Sequence, residues 1–356
     1  MPRGKGRSSG IALFGILGLL VATSSLSCLK KKLSPVAPPD PTPGPAAPTS
    51  TATATAVHRA WLADTGNNRI VVIEDDVSAA VTTFSSYGAV ALSGPTDVSV
   101  DTVSGDVWIA DNGNGKVRNI TPSGLRIATF DLDYALQVAA IPGTGEAWAL
   151  EGNVGTVHRF GVGGEVAATS TVYGFPSGLV VDLSPGNFGG AWACAQGSNA
   201  AWKVGPAGAE LQTILAGLGQ PFDLAVDPNN GSVWVVNSST NALKKFDSAG
   251  NIIFTYSGSF LIGPRSIAVD PRDGGVWVAD GPTVLKVTSA GGIDVPPVPG
   301  FSSPRSLAVD PGDGSVWISD FGNNRVVKLR NDGVQLGVID TADGTPFSSP
   351  EGIALR

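Results

Sequence analysis

QPFDLAVDPNNGSVWVVNSSTNALKKFDSAGNIIFTYSG, residues 220–258, is the stretch that decides the fold. It contains four short segments rich in strand-forming residues, separated by the turn-forming sequences DPNNG and DSAGN. Gly adopts positive φ at little cost, and Asp and Asn bond their own backbone, so both sequences favour tight turns. The predicted strands are 223–227, 232–237, 242–246 and 252–256. Four antiparallel strands in roughly 43 residues predict one blade of a β-propeller.

Tryptophan marks the same position in seven such units. The seven residues are Trp61, Trp108, Trp148, Trp192, Trp234, Trp277 and Trp317. Successive members of this set are 40 to 47 residues apart. A proline lies 13 residues before the tryptophan in four units, and Pro176 lies 16 residues before Trp192, which indicates an insertion near residues 187–189. Ala135 replaces the proline in the most diverged unit. A repeat of this length indicates a closed array of similar units.

The two ends of the repeat region supply the two parts of one further unit. PEGIALR, residues 350–356, corresponds to an innermost strand alone, and AWLADTGNNR, residues 60–69, begins a unit that lacks this strand. Joining them would complete one blade and remove the free sheet edges. Six complete units and this composite predict an all-β, seven-bladed propeller over residues 58–356. Six blades is the alternative, and it requires one unit to be spurious.

Three segments of the repeat carry a family resemblance. ADTGNNRI (63–70), SDFGNNRV (319–326) and PRSLAVD (304–310) resemble NHL repeats. The tryptophan-containing second strands are also similar to those of streptogramin (virginiamycin B) lyase-like propellers. The resemblance covers residues 58–356. It implies a propeller fold, and it leaves function open, because NHL-type propellers serve as binding scaffolds, as sensor domains and occasionally as lyases.

The N-terminal segment has the pattern of an export signal. A basic start precedes the apolar run 11–22, which is too short to span a membrane. Cys28 follows small residues, and this arrangement resembles the bacterial lipoprotein signal, in which the cysteine is acylated. We expect residues 1–28 to be a signal peptide and 29–57 to be a linker, Lys-rich at first and then rich in Pro, Ala and Thr. The predicted location is the cell envelope, membrane-anchored through Cys28, or extracellular if Cys28 is not modified.

Charge excludes one class of function. The chain has a net charge of −7, and residues 58–356 contain 29 acidic and 17 basic residues. Nucleic-acid binding requires clustered positive charge, so we exclude it. The chain has two cysteines, too few for a disulfide scaffold. Cys194 follows an apolar strand pattern, and we expect a buried structural thiol.

Strand order predicts which residues share the ligand-binding face. The innermost strand of each unit begins, and the second strand ends, on the same face of the disc. Two residues after the proline position lie Asp97, Gln137, Gly178, Asp223, Ser266, Ser306 and Gly352, and one position earlier in four units lie Phe222, Arg265, Arg305 and Glu351. Three residues after each tryptophan lie Asp64, Asp111, Glu151, Ala195, Asn237, Asp280 and Asp320. We predict that this acidic rim, interrupted by Arg265 and Arg305, is the ligand face.

A structural interpretation of the same residues remains open. An Asp before a tight hairpin often caps backbone N–H groups, and Asp64 with Arg69, or Asp320 with Arg325, are spaced to pair across their hairpins. The two arginines of the rim are also compatible with a solvated surface. The loops at 227–231, 270–274 and 310–314 resemble calcium loops superficially, but they lack the full ligand pattern, so hairpin turns explain them.

Catalytic constellations receive little support from the sequence. The resemblance to streptogramin lyases implies inner-face His and Glu residues with a magnesium ion, but the two histidines here, His58 and His158, do not fall on inner strands. We therefore expect a monomeric, non-enzymatic scaffold without a cofactor, which binds an extracytoplasmic protein, peptide or glycan. The alternative is a metal-dependent lyase or lactonase that holds Ca²⁺ or Mg²⁺ at a carboxylate-lined central site.

Overall fold

The computed structural model describes residues 59–74, 81–87, 90–168, 174–215 and 217–356, which belong to one compact unit of the chain. The described residues form seven four-stranded antiparallel sheets arranged as the blades of a propeller. We number the blades in the order of their second strands, so blade 1 is the one in which Arg59–Asp64 pairs with Pro350–Leu355. The predicted seven-bladed fold is confirmed, and the six-bladed alternative is wrong.

Each blade contributes one strand to each of four concentric layers. The innermost strands of blades 1 to 7 are Pro350–Leu355, Pro95–Val100, Ala135–Ile141, Pro176–Asp182, Pro221–Val226, Pro264–Val269 and Pro304–Val309. The second strands are Arg59–Asp64, Val107–Asp111, Glu146–Glu151, Gly190–Ala195, Val233–Asn237, Val276–Asp280 and Val316–Asp320. The third strands are Arg69–Glu74, Lys116–Ile120, Thr156–Gly161, Ala200–Val204, Ala242–Phe246, Thr283–Val287 and Arg325–Leu329. The outer strands are Val81–Phe84, Arg126–Asp131, Gly164–Ala168, Glu210–Ile214, Ile252–Tyr256, Ile293–Pro299 and Gln335–Ile339.

Short elements connect these strands. Two-residue strands pair as Ser86–Tyr87 with Val90–Ala91 and as Thr341–Ala342 with Thr345–Pro346. Single 3₁₀ turns, at Thr65–Asn67, Asn112–Asn114, Ser238–Thr240 and Phe321–Asn323, follow the second strands of blades 1, 2, 5 and 7. Each of these turns ends at a residue with positive φ, which is Gly115 in blade 2 and an asparagine in the other three. This choice is expected, because Gly and Asn tolerate the left-handed region.

The ring is closed by pairing between the two ends of the described chain. Trp61 pairs with Ala354 and Leu62 with Ile353, so the strand that ends the chain is the innermost strand of blade 1. The Arg356 N–H also donates to the Arg59 carbonyl at 3.0 Å. Each innermost strand contacts the innermost strands of both neighbouring blades, and the last of these contacts joins blade 7 to blade 1. The predicted composite blade is confirmed.

The seven repeated tryptophans form the centres of the interfaces between blades. All are at most 1% exposed. Each packs against the innermost strand of the next blade: Trp192, for example, lies in one cluster with Leu224 and Val226, and Trp317 with Ile353. Burial of an aromatic side chain of this size stabilises a fold by several kcal/mol, so the tryptophans account for much of the cohesion between blades.

Cations on the third strands lie over several of these tryptophans. The ammonium groups of Lys245 and Lys328 are 4.9 Å from the ring centroids of Trp234 and Trp317. Lys286 is fully buried and donates to Asp270 at 2.9 Å and to Asp273 at 2.7 Å. Asp270 begins one of the loops that superficially resemble calcium loops. Protein cations and the Arg272 backbone N–H donate to the Asp270 carboxylate, which agrees with a hairpin turn.

Candidate functional site

The innermost strands surround a central tunnel that opens on the face where these strands begin. The tunnel has a volume of about 540 Å³, and its middle is lined by apolar residues such as Leu224, Ile267 and Leu307. A smaller hollow of about 210 Å³ forms its mouth. Five members of the first predicted set line both the tunnel and the mouth: Asp97, Gln137, Asp223, Ser266 and Ser306. The structure therefore brings together most of the residues placed two positions after the proline.

A β-bulge at the start of each innermost strand explains this convergence. In blade 2, Pro95 pairs with Asp111 and Asp97 with the adjacent Ala110, so Thr96 is an extra residue opposite the second strand. The same register shift, with the extra residue on the innermost strand, recurs in blades 3 to 7 and in blade 1. A bulge re-aims the neighbouring side chains, and bulges commonly occur next to binding sites. The extra residues that reach the mouth are Thr96, Leu136, Ser177, Phe222, Arg305 and Glu351.

The two aspartates of the mouth each bond to the next blade. Asp97 Oδ2 accepts the Val138 N–H at 3.0 Å. Asp223 Oδ2 accepts the Ile267 N–H and the Ser266 hydroxyl, both at 3.1 Å. In each case the N–H belongs to the residue three after the proline position of the following blade. The carboxylates therefore join neighbouring innermost strands at the same point where they line the cavity.

Glycine in the preceding blade makes room for each of these aspartates. A Cβ atom on Gly352 would lie 2.6 Å from Asp97 Cα, and one on Gly178 would lie 3.1 Å from Asp223 Cα. Contacts this short are rare for real Cβ atoms, so the close approach of the strands requires glycine at these two positions. The two Gly–Asp pairs explain why the predicted set contains glycines at all.

Burial changes the acidity of the mouth. It raises the pKa of Asp97 to about 7, although the Val138 N–H opposes the effect, and the charges of Asp223 and Glu351 raise the pKa of Asp97 further. Burial likewise raises the pKa of Asp223 to about 6. The pKa of Glu351 is also raised by burial, and the charge of Arg305 lowers it. The mouth thus contains carboxyl groups that gain or lose protons near neutral pH.

The two predicted arginines lie in different surroundings. Arg305 lines the central mouth, and its guanidinium lies 4.5 Å from the ring centroid of Phe321. Arg265 lies 5.2 Å from the ring centroid of Phe222, and it lines a separate hollow of about 430 Å³ with residues of the loop before Pro304. The structure brings only Arg305 into the central site.

The predicted aspartates that follow the tryptophans do not line the mouth. Asp64, Asp111, Asp280 and Asp320 are all fully buried. Asp64 accepts the Ser348 N–H at 2.7 Å, Asp111 accepts the Ser93 N–H at 2.8 Å, and Asp280 accepts the Gly263 N–H at 2.7 Å. Asp320 accepts the Ser302 N–H at 2.7 Å. Each donor belongs to the segment that enters the blade of its aspartate. Each carboxylate therefore fixes the loop that leads into its innermost strand.

Arginine pairs complete several of these structural contacts. Arg69 Nε donates to Asp64 at 2.6 Å and Arg325 Nε to Asp320 at 2.7 Å, so the predicted pairing across these hairpins is confirmed. Capping of the adjacent turn is wrong for both aspartates, because neither side chain bonds a backbone N–H of its own 3₁₀ turn. Glu151 has a different partner, since its Oε2 lies 3.2 Å from His158 Nε2 on the third strand of blade 3.

Two further residues of the mouth, Thr96 and Ser177, are not singled out by the sequence pattern. Their common signal is the proline that begins the innermost strand, because the bulge places the next two residues at the mouth.

Some of the other predicted features lie among the residues that the structure describes, and some lie outside them. Cys194 is fully buried and free, as predicted, and burial raises the pKa of its thiol. Within the described residues, no group of three or more His, Cys, Asp or Glu side chains is arranged to hold a metal ion. Among the same residues, no helix has the length and apolar character needed to cross a membrane. The predicted signal peptide, Cys28, the linker and His58 lie outside the described residues.

Comparison with known proteins agrees with this architecture. The NHL repeat profile matches residues 92–118 and 301–329. No curated protein matches the chain significantly. Among solved structures, a streptogramin B lyase aligns with a TM-score of 0.61 at 16% identity, covering 73% of this chain and 87% of that one.

Two further structures show the same likeness. Virginiamycin B lyase from Staphylococcus aureus aligns with a TM-score of 0.61 at 17% identity, covering 72% of this chain and 87% of that one. A functionally unknown protein from Desulfotomaculum acetoxidans aligns with a TM-score of 0.66 at 15% identity, covering 83% and 98%. Identities this low establish the fold alone. The fold and its repeats define a seven-bladed β-propeller that contains NHL repeats.

Proposed function

We propose that this protein is an exported binding scaffold that takes a protein, peptide or glycan ligand at the mouth of its central tunnel. The observation that carries the proposal is the convergence of polar side chains from five blades on one concave mouth: Asp97, Gln137, Asp223, Ser266 and Ser306. A concave site with a few convergent polar groups and shifted pKa values is the usual form of a binding site.

Binding measurements with the full chain would test this proposal. Panels of peptides and oligosaccharides would be passed over the immobilised protein and over the double variant Gln137→Ala, Ser306→Ala. Asp332→Asn serves as the control, because Asp332 is an exposed carboxylate paired with Arg330 on an outer turn. We expect a ligand whose affinity falls at least tenfold in the double variant and stays unchanged in the control. A ligand that binds the double variant as tightly as the parent would place the binding face elsewhere.

Export and anchoring form a second part of the proposal. The basic start, the short apolar run and Cys28 support a lipoprotein-type signal, and the proline-rich segment would hold the propeller away from the membrane. Mass spectrometry of the mature N-terminus is the test. An acylated Cys28 at the N-terminus supports anchoring, and a free, unacylated Cys28 contradicts it.

A metal-dependent lyase or lactonase is the second candidate. It is favoured by one observation, the pair of mouth carboxyl groups, Asp97 and Asp223, whose raised pKa values suit acid–base chemistry. Addition of Ca²⁺ or Mg²⁺ while the melting temperature is followed would distinguish the two candidates. A rise of several degrees that Asp97→Ala or Asp223→Ala abolishes supports the enzyme, and an unchanged melting temperature supports the scaffold.

A further inference from the structure

We propose that the face on which the mouth opens binds, at blades 6 and 7, an acidic segment of a partner protein, with one carboxylate on each of Arg265 and Arg305. This inference rests on the proposed function, and it names the chemistry of the ligand. It follows from the partners of the arginines in this molecule, from two cavities that meet beside these two arginines, and from the charge around them.

Most arginine side chains of the described residues are bound by polar groups of the protein itself. Seven of them, including the exposed Arg330, form ion pairs with Asp or Glu. The Arg356 guanidinium donates to the Ser104 carbonyl instead. Arg265 and Arg305 are exposed, and neither forms an ion pair or a hydrogen bond within the part of the chain that the structure describes. The N–H donors of these two side chains are therefore available to a ligand.

Aromatic rings hold both guanidinium groups in place. The Arg265 guanidinium lies 5.2 Å from the ring centroid of Phe222 in blade 5, and the Arg305 guanidinium lies 4.5 Å from the ring centroid of Phe321 in blade 7. A guanidinium that rests on a ring keeps its planar set of N–H groups free to bind a carboxylate through two hydrogen bonds. Because the rings already restrict these side chains, less side-chain entropy is lost when a ligand binds.

The two arginines lie where two cavities adjoin. Arg265 and Pro304 line the hollow of about 430 Å³, which we call the side hollow, and Ser266 and Arg305 line the mouth. Arg265 and Ser266 are consecutive in the sequence, as are Pro304 and Arg305. The side hollow and the mouth therefore lie on either side of these two dipeptides. A ligand that extends from one cavity into the other would contact both arginines.

The carboxylates on this face leave the two arginines without an ion pair. Asp223, Asp280 and Asp320 accept backbone N–H groups of the innermost strands or of the loops that enter them, and within the described residues none of the three pairs with either arginine. The charge of Arg305 lowers the pKa of Glu351, but these two side chains form no ion pair there either. Each arginine is followed by a serine where blades 2 and 5 have an aspartate. Blades 6 and 7 therefore present positive charge beside an acidic mouth, and charge complementarity favours an anionic ligand.

Apolar side chains beside the arginines favour a peptide over an acidic glycan. Phe260 and Ile262, in the loop that enters blade 6, are 52% and 59% exposed. A Cβ atom on Gly281 would lie 3.5 Å from the Ile262 side chain, and Gly281 lines the side hollow, so Ile262 lies at the edge of that hollow. Exposed apolar and aromatic side chains next to arginine are typical of protein interfaces. They suit an aliphatic side chain that lies between acidic residues, which a sugar does not carry.

Calorimetric titration of the full chain tests the inference. The probes are the N-acetylated and C-amidated pentapeptide Glu-Glu-Leu-Glu-Glu, its neutral analogue Gln-Gln-Leu-Gln-Gln, and tri-galacturonate as an acidic glycan. At low ionic strength we expect the acidic peptide to bind about tenfold more tightly than either of the other two. Equal binding of the neutral peptide would overturn the charge assignment, and tighter binding of tri-galacturonate would overturn the peptide assignment in favour of a glycan.

Variants locate the bound peptide. Arg265→Gln and Arg305→Gln each remove the charge of an exposed side chain, so each is expected to weaken binding of the acidic peptide about fivefold, the upper range for one exposed ion pair. Arg330→Gln removes an exposed guanidinium from an outer turn and is the matched control, for which we expect unchanged affinity. Circular dichroism melting of each variant confirms that the protein is folded. Unchanged affinity in the Arg265→Gln, Arg305→Gln double variant refutes the site.

Failure of the inference and failure of the proposed function are distinguishable. If the peptide or glycan found on the panels depends on Gln137 and Ser306 but the acidic pentapeptide neither binds nor competes with it, the scaffold proposal stands and the acidic-segment inference falls. If that ligand is insensitive to the Gln137→Ala, Ser306→Ala double variant, the proposed ligand face itself falls.

Discussion

Replacing Asp97 by Asn should stabilise this protein at neutral and alkaline pH and leave its stability nearly unchanged in acid. Burial raises the pKa of Asp97 from 3.8 to about 7, so the folded state retains a proton that the unfolded chain releases. Between these two values the folded state binds more protons than the unfolded state. The free energy of unfolding of the parent therefore falls as the pH rises from about 4 to 7.

The size of the effect follows from the same two pKa values. One pH unit of pKa difference corresponds to about 1.4 kcal/mol, so the ionised Asp97 carboxylate destabilises the fold by at most about 4 kcal/mol above pH 7. Asn is neutral at every pH, and its amide oxygen can still accept the Val138 N–H. The variant is therefore expected to gain between about 2 and 4 kcal/mol relative to the parent at pH 8, and almost nothing at pH 4.

Urea unfolding followed by tryptophan fluorescence at pH 4, 5, 6, 7 and 8 measures this difference directly. Ser99→Ala, on the same innermost strand, is the control, since it removes a neutral side chain and should shift stability equally at all pH values. A difference between Asp97→Asn and the parent that stays constant across this pH range, or a variant that is less stable at pH 8, would refute the account of the tunnel carboxylates.

Three further predictions concern the framework. Lys286→Met should lower the free energy of unfolding by up to about 3–5 kcal/mol, because Asp270 loses its fully buried cation and keeps only the partly exposed Arg272; the partly exposed Lys116→Met should cost less than about 1 kcal/mol, and urea titration compares the two. Gly352→Ala should lower the melting temperature by several degrees, since its Cβ would meet the backbone of Asp97, and an unchanged melting temperature would contradict the tight packing. Deletion of residues 350–356 should expose the edge of Arg59–Asp64 and cause self-association in size-exclusion chromatography, and a stable monomer would show that blade 1 does not need its innermost strand.

The fold could be predicted from the sequence repeat, because its turn sequences, tryptophans and prolines each meet a structural requirement within a single blade. In blade 5 the predicted third and fourth strands, 242–246 and 252–256, match the structure residue for residue, and the first two differ by one or two residues at their ends. The composite blade could also be predicted, because residues 350–356 match an innermost strand and residues 60–69 begin a unit that lacks this strand. Local sequence patterns were enough to predict the features that all blades share.

The residues of the tunnel mouth were harder to predict from the sequence, because contacts with residues far along the chain distinguish them from similar polar residues elsewhere. Asp97 and Asp111 are both aspartates of the same blade. Asp111, however, accepts hydrogen bonds from the Ser93 N–H, 18 residues earlier, and from the Arg118 side chain. Asp97 lies at the tunnel because a bulge re-aims its strand and Gly352, more than 250 residues away, makes room for it. Neither the bulge nor this neighbour can be inferred from residues around position 97.

The Gly–Asp pairs also make the lumen of this ring asymmetric although its frame is nearly sevenfold. Each acidic position needs a residue without a side chain in the preceding blade, so the two changes must be acquired together and in a fixed order around the circle. Moving the Gly178–Asp223 pair to the blades of Ser266 and Ser306 would turn that charge by two sevenths of a revolution without altering the walls. A single duplicated module could in this way give rise to many differently charged lumens.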